Sequence, residues 1–209
     1  MKKILVLVCI MIACNGYSQT PIHSVAKAYF RLHPFDSRFS SFIQTLQKDP
    51  LFTINIYEKR TDSAFFFMEG TYKNFNPFRF TPKETRLIIA EEEIIHADSL
   101  HTHDTIINLQ LIAVADSNVA NMKAVEKEFK RFHNSQAGRF SSNTYDYYND
   151  KKGKIIAEIY TYFISPYSIA PVTIAWGILP DTNYFTFTIT IRFKVKQNMA
   201  EYIVTPDEL

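Results

Sequence analysis

Apolar positions along the chain recur with two periods, and the switch between them marks out the elements. Residues 24–33 and 37–48 read as two short helices parted by His33-Pro34. In the second, Phe39, Phe42, Ile43 and Leu46 recur three and four apart, as one helical face requires, and Asp36 or Ser37 stands where a capping side chain belongs. Lys48-Asp49-Pro50 ends it, because proline cannot continue the hydrogen-bond ladder. The period then drops to two: Phe52, Ile54 and Ile56 alternate with Thr53, Asn55 and Tyr57. A polar turn at 59–62 leads into an aromatic-rich strand over 63–73, and a loop with Pro77 and Pro82 follows.

Residues 85–95 and 105–115 form the next strand pair, with a polar loop at 96–104 between them. Glu91-Glu92-Glu93 weakens the first of these, since Glu is depleted in strands and a helix over 84–95 is the competing assignment. The strongest helical pattern runs over 117–134: Val119, Met122, Val125, Phe129 and Phe132 share a face, and Ser117 is placed to cap it. Residues 141–153 read as a polar, tyrosine-bearing loop, and 154–164, 172–178 and 184–197 as strands. The last has the clearest alternation. Phe185, Phe187, Ile189, Ile191, Phe193 and Val195 fall on one side, and Thr186, Thr188, Thr190, Arg192, Lys194 and Lys196 on the other. One side belongs to a core and the other to water, an arrangement typical of antiparallel sheets.

Only the 117–134 helix lies between strands, so helices and strands segregate. The expected architecture is α+β: a mainly antiparallel sheet of six or seven strands with three amphipathic helices packed on it. No low-complexity tract or Pro/Gly/Ser-rich linker interrupts the chain, and residues 19–209 read as one domain.

The first 18 residues follow another logic. Lys2 and Lys3 precede ten apolar residues, Ile4 to Ala13, and small side chains stand at Gly16 and Ser18. That is the layout of a secretory signal peptide cleaved between Ser18 and Gln19, too short to span a bilayer. Met11-Ile12-Ala13-Cys14 is the competing signal, a bacterial lipobox whose cysteine would be lipidated. The expected location is therefore periplasmic or extracellular, with a membrane reached only through lipidation of Cys14. Both cysteines, Cys9 and Cys14, lie in the leader, so cleavage after Ser18 leaves no thiol for catalysis, zinc or disulfides. Losing Lys2 and Lys3 also takes the formal charge from +2 to zero, which gives nucleic acid no electrostatic hold.

Composition removes more chemistry. Five scattered glycines allow no dinucleotide loop, phosphate-binding loop or nucleophile elbow. Two clusters remain. His96, Asp98, His101, His103 and Asp104 crowd into nine residues, and imidazole nitrogens with carboxylate oxygens are donors that zinc, copper or nickel accept. His96, His101, His103 and Asp104 are the candidate ligands of a divalent metal; no other cofactor is called for. Tyr145, Tyr147 and Tyr148, beside Asp146, Asn149 and Asp150, are candidate ligand-binding residues, because exposed tyrosines stack on sugars or peptides and hydrogen-bond their edges. The competing assignment places them along one side of a strand. Two basic stripes, Arg192-Lys194-Lys196 and Lys123-Lys127-Lys130-Arg131, read as ordinary solvent-facing positions.

The functional expectation is an exported, non-catalytic module of the bacterial cell envelope that binds a small ligand or an envelope protein. A metal-assisted hydrolase centred on the His96–Asp104 loop and a lipocalin-like small-ligand carrier are the alternatives.

Overall fold

The computed structural model describes residues 20–59, 66–95, 103–136, 141–149, 154–163, 170–178 and 184–201. The expected signal peptide, residues 1–18, lies outside these residues. Within them, the side chains of 20–21, 93–95, 103–104, 141–149 and 154–163 are outside the description.

Two helices come first, Thr20–Tyr29 (α1) and Phe39–Lys48 (α2). Ile22, Val25, Ala26 and Tyr29 recur at helical spacing on α1 and are all buried. The expected helix over 24–33 thus begins earlier and stops at Tyr29. Pro34 disfavours helical backbone at His33, and the chain bends through residues 31–37 instead. On α2, Phe42, Ile43 and Leu46 face inward as expected, but neither Asp36 nor Ser37 caps it. The residue before the helix is Arg38, with no side-chain cap bond. Asn198, 158 positions downstream, supplies the cap: its Oδ1 accepts the Ser40 N–H at 2.9 Å and its carbonyl the Phe39 N–H at 2.7 Å.

Nine strands follow among the described residues: Phe52–Lys59 (β1), Phe66–Tyr72 (β2), Glu84–Ile95 (β3), His103–Asp116 (β4), Ser141–Asn149 (β5), Lys154–Phe163 (β6), Val172–Ile178 (β7), Tyr184–Lys196 (β8) and Met199–Glu201 (β9). Between β4 and β5 runs the third helix, Val119–Gln136 (α3), whose first turn is capped by Asn118, one residue after the expected Ser117. Every pairing is antiparallel, in the order β1-β2-β3-β4-β8-β7-β6-β5, with β9 beside β8. The α+β architecture is the expected one. Seven strands are those the sequence pattern marks, and 84–95 is strand despite its glutamates. The two additions are β9 and β5, the latter formed by residues 141–149 of the expected loop.

The topology consists of two four-stranded meanders that meet at their last strands, β4 and β8. The chain crosses from the centre of the sheet to its far edge through α3. The described strands make an open path with β1 and β5 at its ends, so they do not close the barrel that a lipocalin-like carrier needs.

All three helices pack on one face. Phe187 lies across the ring of Phe129 from α3, and Phe39 of α2 meets Phe193 edge-on. Tyr29 of α1 contacts Phe132 of α3. The inward side of β8 is fully enclosed at Phe187, Ile189, Ile191 and Phe193, as the alternation requires. Beneath the helices a buried carboxylate, Glu128, holds the guanidinium of Arg131. That guanidinium also donates to the Tyr29 hydroxyl at 2.8 Å and ties α3 to α1. A buried carboxylate without such a partner would cost several kcal/mol, so the pair acts as a latch.

The opposite face is not plain water-facing surface. Thr190 is buried, and Arg192, expected in a solvent-facing stripe, is drawn into the sheet. Its Nε donates to Asn108 Oδ1 at 2.9 Å and an Nη to the Ala170 carbonyl at 3.2 Å, while Asn108 donates to Glu92 at 2.6 Å. Burial lowers the proton affinity of Arg192, with Glu92 opposing the shift.

Candidate functional site

Where α1 ends, the chain turns back beneath its own last turns. Side chains at positions 23, 27 and 31 are spaced four apart, so they line one stripe of the helix and its continuation. The returning segment brings His33 and Asp36 against that stripe. Between them lies a cleft of about 510 Å3, lined by His23, Ser24, Lys27, Phe30, Arg31, His33 and Asp36. That volume falls within the range of small-molecule sites.

The two histidines form its inner wall. Their rings are 5.2 Å apart, centroid to centroid, and His23 stacks on Phe35 at 4.7 Å. His33 Nε2 lies 3.2 Å from the His23 carbonyl. A carbonyl only accepts, so Nε2 must carry a proton, and in the neutral ring Nδ1 is then a bare lone pair. This buried Nδ1 sits 3.1 Å from Asp36 Oδ1, within ion-pair distance but without a hydrogen bond of acceptable geometry. Adding a proton to Nδ1 turns two facing acceptors into an imidazolium–carboxylate pair. Burial holds the His23 imidazole below the ordinary range, the nearby His33 adds to this, and Asp36 opposes it.

The outer wall is cationic. Arg31 Nε donates to Asp49 Oδ2 at 2.7 Å. Burial pushes the Asp49 carboxyl up, yet hydrogen bonds from Arg31 and the Leu51 N–H outweigh it and hold the group below the usual carboxylate range. Lys27 forms no ion pair among the described residues. With both imidazoles neutral, Lys27 and Arg31 are balanced by Asp36 and Asp49. Each proton taken up by the ring pair adds one positive charge to the cleft.

The residues singled out from the sequence lie elsewhere. His96 and His101 fall outside the described residues. His103 and Asp104 open β4, paired in register with Ile95 and Ile94. Among the described residues no three metal-ligating side chains converge. Tyr145, Tyr147 and Tyr148 belong to β5, opposite Ile159, Ala157 and Ile155 of β6, with a register shift between Tyr147 and Tyr148. They occupy an edge strand and not a loop, and their side chains lie outside the description. The sequence did hold a signal for the cleft. His23, Lys27 and Arg31 repeat every four residues beside a His-Pro break, but the meeting of that stripe with His33 and Asp36 depends on how the chain returns.

No protein-family model, curated protein or solved structure matches the chain. Among the described residues, no helix is long and apolar enough to cross a membrane.

Proposed function

We propose that this chain is an exported, non-catalytic binding module of the bacterial cell envelope, and that its ligand enters the cleft between α1 and residues 33–36. The observation that supports this most directly is the cleft itself: a concavity of ligand size in which charged and aromatic side chains from two segments face one another. The leader-like residues 1–18 support export.

The test is a thermal-shift screen of the mature chain against small organic molecules that are anionic, neutral or cationic. A ligand present at 100 times its Kd stabilises by about 2.7 kcal/mol. In a domain of this size that raises Tm by roughly 5–10 °C. The same compounds should leave Ser24→Trp, whose indole fills the cleft, unmoved. Compounds that stabilise Ser24→Trp equally, or a screen without any hit, would refute the reading. Mass spectrometry of the mature N-terminus tests export separately, with Gln19 the expected first residue and lipidated Cys14 the alternative.

A further inference from the structure

We infer that the helix-free face of the sheet holds a second site, independent of the cleft, in which Arg192 binds the carboxylate of an aliphatic monoanion whose chain lies along β8.

The half-buried guanidinium of Arg192 is held by neutral acceptors alone. Its Nε donates to Asn108 Oδ1 at 2.9 Å; one Nη donates to the Ala170 carbonyl at 3.2 Å and lies 3.5 Å from Thr173 Oγ1. The other Nη has no acceptor, and Arg192 forms no ion pair among the described residues. The carboxylate that acts on it, Glu92, is exposed and accepts from Asn108 Nδ2 at 2.6 Å, so an amide stands between the two charges. A cation drawn out of water without an anion beside it costs free energy, and an oxyanion at the open Nη recovers it through a charge-assisted hydrogen bond. The fork is already fixed by its neutral partners, so little order is lost when the anion arrives. Neighbouring rows of the ladder specify the ligand. Thr190 precedes Arg192 by two residues on the same face and is paired with Gln110. Neither the Thr190 hydroxyl nor the Gln110 amide forms a hydrogen bond among the described residues, so both can donate to a carboxylate oxygen. The next row holds Ile112, Thr188 and Ala175, and the one after it Val114, Thr186 and Gly177. The β4 side of this track is apolar, and the β7 side projects one carbon or none, which suits a hydrocarbon chain running away from Arg192. With a single Nη open and Glu92 nearby, one negative charge fits better than two.

Hexanoate is the probe at neutral pH. Acetate supplies the charge without the chain, hexanol the chain without the charge, and adipate a second charge. Titration of the isotope-labelled mature chain should shift the Arg192 Nε–H resonance, with hexanoate binding at least about tenfold tighter than any of the three controls. Thr190→Val, which keeps the shape of the side chain and the guanidinium, should weaken hexanoate about tenfold, the usual effect of losing a hydrogen bond to a charged group. Arg192→Gln should weaken it at least as much and leave hexanol binding unchanged. Ser24→Trp, which fills the cleft beside α1, should leave hexanoate affinity and the Arg192 shift as in wild type. An Arg192 resonance that hexanoate does not move, or equal binding of hexanol, would overturn the inference, and tighter binding of adipate would overturn the single charge. If hexanoate binding is lost in Ser24→Trp and kept in Arg192→Gln, carboxylates enter the cleft instead: that reading stands and this one falls.

Discussion

Asn198 links the two ends of the chain, and its substitution separates two energies that are usually entangled. It sits with Gln197 in the two-residue turn between β8 and β9, at φ 65°, where an L side chain other than Asn or Asp is strained. Forcing alanine into that conformation costs about 1 kcal/mol or somewhat more. Its side chain caps α2 through Ser40 N–H, and losing an N-cap costs a further ~1 kcal/mol. Asn198→Ala should therefore destabilise the protein by about 2–3 kcal/mol. Asn198→Gly keeps the backbone unstrained and loses only the cap, so about 1 kcal/mol is expected. Ser37→Ala, at the position a sequence reading would choose for the cap, should change stability by less than about 0.5 kcal/mol, because its hydroxyl only touches the Arg38 carbonyl at 3.4 Å. Urea unfolding followed by circular dichroism measures all three, with the m-value unchanged. An Asn198→Ala variant within about 0.5 kcal/mol of wild type, or a Ser37→Ala variant as damaged as Asn198→Ala, would refute the reasoning.

Two further outcomes are expected. Gly70 on β2 has no room for a methyl group: an added Cβ would collide with the Phe52 ring and stand 2.6 Å from the Thr53 carbonyl oxygen. Gly70→Ala should cost about 1–3 kcal/mol in the same unfolding assay, and a neutral result would mean that β1 does not press on β2 as described. The third outcome concerns pH. Because His23 is held below its ordinary value near 6.5 in the folded chain, the unfolded chain binds the proton first as pH falls. The ligand-free protein should lose stability on going below pH 6.5, and the loss should level off once the folded-state ring is also protonated. His23→Gln should remove that part of the slope between pH 7.5 and pH 5. Asp49 and Glu84, whose carboxyls are held low, release their stabilisation only at more acid pH, outside this window. A His23→Gln slope identical to wild type would count against the buried setting of that ring.

The core was legible wherever a residue's neighbours in sequence decide its side. Strand β8 shows this best: its alternation names Phe187, Ile189, Ile191 and Phe193 as interior, and all four are enclosed. What the pattern could not show was set by distant segments. The cap of α2 comes from Asn198. Arg192 is drawn in because Asn108 and the Ala170 carbonyl lie beside it on the face away from the helices. Residues 141–149 pair as β5 because β6 offers them a ladder, although their polar composition alone suggested a loop. The cleft was harder still. Density of histidines drew attention to 96–104, whereas the pair that meets in space, His23 and His33, is ten positions apart and separated by a helix end.

The junction of the two meanders has a kinetic consequence. The central ladder runs from Asp116 with Tyr184 to Ile106 with Lys194, so the sheet closes only after nearly the whole polypeptide is present. Such long-range closure is slow, typically milliseconds to seconds, and until then β4 offers the bare edge of a strand rich in Ile and Leu to anything nearby. A chain stopped short of residue 184 should therefore be a strong client for holding chaperones, and refolding yield should fall as protein concentration rises.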